Sequence, residues 1–382
     1  MAATASGDRI ESIDAIRGAA LFGVLTVNLI TEFRVSIFQQ FVVPAHGVAG
    51  TDALVEHIVA VGLQGKAFCL FSLLFGVGLA IQFERLSPFG RPLYWLARRM
   101  TVLLAFGLVH LLLIWNGDIL TEYAVAGFLV LPLLLLPSAW LLAIAFGFLV
   151  VYAVGPLLVY SIPWPDDATL RAHVAAAGQV YANGSLADTW RFSLAELPLI
   201  LRLHAYAFPR TLALFLFGVL LWRAGILQRA AGFRLETALA AIVGIAAGAV
   251  LTATAPLGTI GGFLAPVVLA LGYGAALLRI APLPVMHRAV SGLAPVGRMA
   301  FSNYVAQSIV FAGIFFGYGL GQFGRMGAAP ALVLGIAVFM AQIALSRWWL
   351  RRYRFGPIEW LWRTLMYGAR QPMRRHAIAT TT

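Results

Sequence analysis

An all-α integral membrane protein of about ten transmembrane helices is the fold this sequence predicts, and three observations predict it. Of 382 residues, 61% are hydrophobic and only 11% charged, where a soluble domain carries about 25% charged residues. Tyr123–Tyr160 and Thr237–Leu278 contain no charged residue, and each is long enough for two spans of about 20 residues. Alternating segments of about ten residues, the mark of a membrane β-barrel, are absent from the sequence.

In chain order the predicted spans are 13–31, 66–83, 100–116, 119–136, 138–160, 207–223, 236–255, 259–280, 297–317 and 328–347, within one polytopic membrane domain, 1–382. Asp8, Glu11 and Asp14 beside the single base Arg9 make residues 1–14 too acidic for a cleavable leader, so the first span is read as retained. With both termini in the cytoplasm, twenty of the 27 basic residues fall on inside segments, as the positive-inside rule requires. That bias explains the net charge of +12 through topology, and nucleic acid is not expected as a partner. The partner is the lipid bilayer, in the cytoplasmic (inner) membrane of a bacterium. Cys69, the one cysteine, excludes an intrachain disulfide, and seven scattered histidines form no metal-ligand motif.

Two extracytoplasmic loops are long. In 32–65, Leu54, Ile58 and Val61 have the spacing of an amphipathic helix at the interface. Loop 161–206 separates five spans from five and reads either as a lid or as a connector. No repeat relates the halves. Residues 348–382 form a basic cytoplasmic tail rich in Trp and Arg. It reads as a surface anchor, or as an element that admits an anionic cosubstrate.

Ionisable groups inside a span cost a few kcal/mol each and mark function. Asp14 and Arg17 are three apart and can pair on one helical face, with Gly18 leaving room for another backbone. Asn28 lies toward the outside. His110 sits about 16 Å beyond Arg99 along a helix, near the bilayer middle, where it either bridges helices or acts as acid and base. Asp118 reads as a helix cap or as its partner, with Glu122 and Tyr123 in the next turn. Phe71, Ser72, Phe75, Gly76 and Gly78 read as a packing face. Asn303, Tyr304, Gln307 and Ser308, with Gln342 and Ser346, either line a polar cavity or link helices. No Walker motif, GxSxG or HExxH occurs, so no nucleophilic serine is expected.

RIESIDAIRGAALFGVLTVN, LFSLLFGVG, His110 followed by GDILTEYA, and GRMAFSNYVAQS with QIALSRWWLRRYRFGPIEWLWRTLMYG resemble the YeiB-like family, membrane proteins carrying domain of unknown function 418. Its N-terminal segment is in turn distantly similar to transmembrane acyltransferases of the acyltransferase-3 and heparan-glucosaminide N-acetyltransferase types. Asp14–Arg17–Gly18 matches the start of both. Asn28 matches the heparan type, whose catalytic histidine follows shortly; here the nearest is His46. The resemblance implies a shared helical bundle with a cytoplasmic route for acyl-CoA or acetyl-CoA and no metal.

The resulting expectation is acyl transfer to an outside hydroxyl or amine, on a small-molecule or glycan acceptor. Arg17, Arg98 and Arg99 would meet the donor phosphates. His110 would be the base, Asp118 or Glu122 would orient it or receive the acceptor, and Asn28 would be the oxyanion donor. Glu122, Tyr123, Asn303 and Gln307 would receive the acceptor. A secondary transporter or exporter with a proton relay, or a non-catalytic scaffold, are the competing expectations.

Overall fold

The computed structural model describes residues 11–42, 50–158, 163–228, 234–255 and 258–375. Helices account for its regular structure: α1 Glu11–Asn28, α2 Gly50–Gly62, α3 Lys66–Leu86, α4 Pro92–Val109, α5 Leu120–Leu133, α6 Ser138–Leu158, α7 Asp167–Asn183, α8 Leu186–Arg223, α9 Arg234–Thr254, α10 Ile260–Ile280, α11 His287–Arg298, α12 Ala300–Phe315, α13 Ala328–Arg352 and α14 Pro357–Tyr367. No strand occurs among the described residues, as expected where lipid offers the backbone no hydrogen bonds. Eight helical segments among them are long and apolar enough to cross a membrane, and α5 and α12 are shorter apolar helices. Together they coincide with the ten spans expected.

Several boundaries move. The end of the predicted loop 161–206 and the sixth span form one helix, α8, 38 residues long and continuous through Pro198 and Pro209. At 1.5 Å per residue it runs about 57 Å, so it crosses the bilayer and projects beyond it. Proline does not end it because a packed membrane helix tolerates one missing hydrogen bond. Span 297–317 starts instead at Ala300, since Gly297 and Arg298 belong to α11. The helix expected near Leu54 is α2, with Leu54, Ile58 and Val61 exposed and Val59 buried. Its Asp52 accepts a 2.8 Å hydrogen bond from the Ala329 amide at the start of α13.

α1 is the buried centre of the bundle, packed most closely on α11 and α3. Its approach to α11 is backbone on backbone: a Cβ on Gly297 would lie 1.9 Å from the Asp14 carbonyl, and one on Gly18 would lie 2.3 Å from the Leu293 carbonyl. Gly76 of the predicted packing face meets the Phe215 backbone of α8 in the same way.

The α7–α8 hairpin covers the outer end of the bundle. Tyr181 stacks on Phe316 at 4.8 Å, and Arg325 donates to Asn183 Oδ1. Asp166 caps α7 by accepting from the Thr169 amide at 2.7 Å, a bond that holds its carboxyl below the usual aspartate range. A carboxyl depressed in the folded state stabilises at neutral pH and loses that effect on protonation. Acidification below the ordinary aspartate pKa of about 3.9 is therefore expected to fray α7, read as faster amide exchange at 167–170 after correction for intrinsic rates. Unchanged exchange there would contradict the cap.

Candidate functional site

Some of the polar residues of the spans line a cavity of about 1370 Å3. It opens among the arginine-rich helix ends and runs inward along α1, α3 and α12. Nine arginines line it (17, 85, 99, 298, 351, 352, 354, 363 and 375) against the carboxylates of Glu11, Asp14 and Glu359. Its inner end is apolar and aromatic, formed by Phe68, Phe71, Phe75, Ile119, Leu120, Tyr123 and Tyr304. Nine positive charges in a water-filled mouth avoid the cost of arginine in hydrocarbon and produce a field that draws anions inward.

The tail helps to build this mouth. α13 continues to Arg352, and Tyr353 then pairs with Arg374 in an isolated antiparallel bridge. α14 folds back over the bundle. Its Glu359 accepts hydrogen bonds from the Phe301 and Ser302 amides, at 2.8 and 3.1 Å, and from the Ser302 hydroxyl. Those amides are orphan donors of the first turn of α12, so Glu359 caps a helix from which it is distant in sequence. Trp362 donates to the Arg99 carbonyl at 3.0 Å, and the Arg99 guanidinium lies 3.7 Å above its ring. Up to Arg375 the tail is thus a cavity wall and not the free surface anchor that its composition also allowed. Residues 376–382 lie outside the described residues.

Arg17 and Arg99 stand on the cavity wall, and Arg17 Nη1 reaches Asp14 Oδ1 at 2.9 Å as the spacing predicted. Arg98 does not line the cavity. One residue along a helix turns about 100°, and its Nε donates instead to the Leu365 carbonyl at 3.2 Å.

Behind the inner end lies His110, 1% exposed. α4 ends there in a π-helical turn, His110–Ile114, and α1 ends in another, Leu29–Phe33. Such turns often occur at functional positions. Phe33 and Trp115 stack at 4.2 Å and tie the two together. Gly107 lets α5 approach: a Cβ there would lie 2.6 Å from the Thr121 amide. Asp118, buried at 1%, consequently does two things. Its Oδ2 accepts from the Thr121 amide at 2.7 Å as a cap, and its Oδ1 lies 2.9 Å from His110 Nδ1. That second contact is off the hydrogen-bond direction, so it is a close polar contact and not an aligned bond. On the opposite side of the ring, His110 Nε2 is 2.9 Å from Ser308 Oγ of α12. The Tyr304 ring, 5.1 Å from the imidazole centre, stands at the cavity end. Its hydroxyl makes a long 3.5 Å contact to the Gly117 carbonyl and a further backbone contact at Ile119.

The remaining predicted residues divide. Tyr123 lines the cavity and shares a 2.7 Å hydrogen bond with Ser72. Asn28 is buried at 4% exposure, and its Oδ1 has no hydrogen-bond partner among the described residues. Glu122 is taken up by α8, accepting from Thr211 and lying 2.6 Å from His204 Nδ1. Asn303 donates to Ser346 Oγ at 3.0 Å, and Gln307 donates to Gln342 at 2.8 Å. Asn303 and Gln307 therefore link α12 to α13, and neither lines the cavity. His46 lies outside the described residues. A further pair was not anticipated: Glu196 lies 2.7 Å from His173 and accepts from Asn116 and Tyr181, at 2.6 and 2.8 Å. Its residues come from the long loop and the α4–α5 turn, where sequence periodicity gives no sign of partners.

Known proteins resemble the chain over nearly all of it. The Bacillus subtilis (strain 168) protein called "Uncharacterized protein YxaH" is 31% identical across 97% of this chain and 98% of its own. The chain belongs to the DUF418 family. Residues 212–369 match that family's model, described as "Protein of unknown function (DUF418)". Two further relatives are "Uncharacterized protein YeiB" of Escherichia coli (strain K12), 30% identical over 96% of this chain and 98% of its own, and a 39.9 kDa protein of Bacillus acidopullulyticus, 26% identical over 96% of each. The segment matching the DUF418 model includes Tyr304, Ser308 and the tail arginines Arg351, Arg352, Arg354 and Arg363, while His110 and Asp118 precede it. The cavity is thus made jointly by the DUF418 segment and the helices before it.

Proposed function

We propose that this multi-pass protein is an acyltransferase of the bacterial inner membrane, taking an acyl group from a cytoplasmic acyl-CoA to an extracytoplasmic hydroxyl or amine. One observation carries the reading: a cavity with nine arginines at its mouth narrows to an aromatic end backed by a buried histidine. A nucleotide with several phosphates fits the mouth, and a thin, weakly polar thioester arm fits the neck. His110 is the base, with Asp118 holding its ring. Asn28, buried with an unpaired side-chain oxygen, offers its amide N–H as the oxyanion donor of this scheme.

The test is calorimetric titration of coenzyme A into the purified protein at two salt concentrations, followed by acyl transfer in proteoliposomes. Saturable binding that weakens with salt is expected. No binding at low salt would refute the reading. Tyr304→Ala is expected to open the cavity end to His110 and to raise acyl-CoA hydrolysis without acceptor, measured as free thiol release. An unchanged hydrolysis rate would mean that Tyr304 does not close the path.

A second reading, proton-coupled transport, draws on the three histidine–carboxylate contacts His110–Asp118, His173–Glu196 and His204–Glu122. Proton-driven solute counterflow without acyl-CoA turnover would favour it.

A further inference from the structure

We infer that Ser308 is the nucleophile of a two-step transfer and carries the acyl group as an ester between donor and acceptor. The inference rests on the acyl-CoA reading for the identity of the donor, but the activation of the serine stands on geometry alone. Ser308 comes from α12, His110 from the end of α4 and Asp118 from the turn before α5. Ser308 Oγ lies 2.9 Å from His110 Nε2, and His110 Nδ1 lies 2.9 Å from Asp118 Oδ1. A nucleophile, a base in reach of it and a carboxylate on the base's other nitrogen are the three roles of an activated serine, whatever their order in the chain. The imperfect His110–Asp118 direction is usual for such a group before substrate binds.

A purely structural serine would need only its bond to the Tyr304 carbonyl, 3.3 Å away, one turn back along its own helix. Ser308 makes that bond weakly and the histidine contact well. The contact also occupies His110 Nε2, so base catalysis on an outside acceptor through that nitrogen would first require breaking it. Placing the serine in the path removes that requirement. Tyr304, between cavity and serine, is the side chain that must turn aside.

In the first step Ser308 Oγ gives its proton to His110 Nε2 and bonds to the thioester carbonyl carbon. The C–S bond breaks, and coenzyme A leaves as the thiol after taking that proton. In the second step an acceptor O–H or N–H gives its proton to His110 and attacks the ester. Ser308 Oγ leaves and recovers the proton. No oxidant, metal or further co-reactant is needed.

The test has two arms on the full-length protein in detergent. A small alkyl fluorophosphonate reports an activated serine without any donor, and acyl-labelled acyl-CoA, quenched in acid before acceptor is added, reports the ester. Both are run in a Cys69→Ala background to exclude a thioester on the protein. The expected result is that both labels map to the peptide containing Ser308 and that both disappear in Ser308→Ala, with coenzyme A binding retained as the check on folding. Fluorophosphonate labelling of Ser308 without coenzyme A binding would retain the serine and overturn the donor. Turnover of acyl-CoA with neither label on Ser308, or a wild-type transfer rate in Ser308→Ala, would overturn the serine and leave the donor reading intact.

Discussion

Replacing His110 by glutamine is expected to lower acyl transfer by about 10²–10⁴-fold, the usual contribution of a positioned general base, with coenzyme A binding unchanged. The amide of glutamine can still reach Ser308, so the buried polar contact at 2.9 Å is partly replaced and the fold is kept. It cannot take up and return a proton near neutral pH, so the chemistry is lost. Binding should survive because His110 lies behind the cavity wall and not on it. Asp118→Asn is a separate measurement: a positioning role predicts a lower kcat with KM unchanged, since the ring of the base loses its neighbour while the cavity is kept. A wild-type rate in His110→Gln would remove the histidine from the mechanism.

Gly297→Leu is expected to have the largest effect on stability. Its Cβ alone would lie 1.9 Å from the Asp14 carbonyl and 2.8 Å from the Gly18 amide. Overpacking costs about 1–3 kcal/mol where side chains can yield. Here both neighbours are backbone, so the cost is expected at or above the upper end. Because α11 holds the stretch of α1 carrying Asp14 and Arg17, weaker coenzyme A binding should accompany a lower unfolding temperature in detergent. Gly313→Ala is the control. Nothing lies within 4 Å of its added Cβ, and alanine favours a helix by about 1 kcal/mol. Equal unfolding temperatures for Gly297→Leu and the wild type would show that the close α1–α11 contact is not needed.

The spans were legible because a charge-free window must satisfy its own backbone in lipid, and only a helix does so within one segment. Asp14 with Arg17, and Asp118 as a cap, were legible for a related reason: each interaction closes within one helical turn. The site was legible only in part. His110 stood out as an ionisable group at membrane depth, but its contact with Ser308 spans 198 positions, and periodicity describes one helix face without naming what meets it. Asn303 and Gln307 show the same limit, since either a cavity or a neighbouring helix accounts for amides on a buried face. Arg98 and Arg99 were indistinguishable by sequence, though both meet α14 and only Arg99 also lines the cavity.

Glu359 and Trp362 close the basic mouth from a helix that follows every span in chain order. Insertion and completion are therefore separate events in the assembly of this protein. The translocation machinery can release all the spans into the bilayer while the pocket still lacks a side. The bundle becomes competent only when α14 docks from the aqueous phase onto α12 and α4. A chain cut after Arg352 should reach the membrane in normal amount and orientation yet hold no donor, a defect that abundance assays would miss.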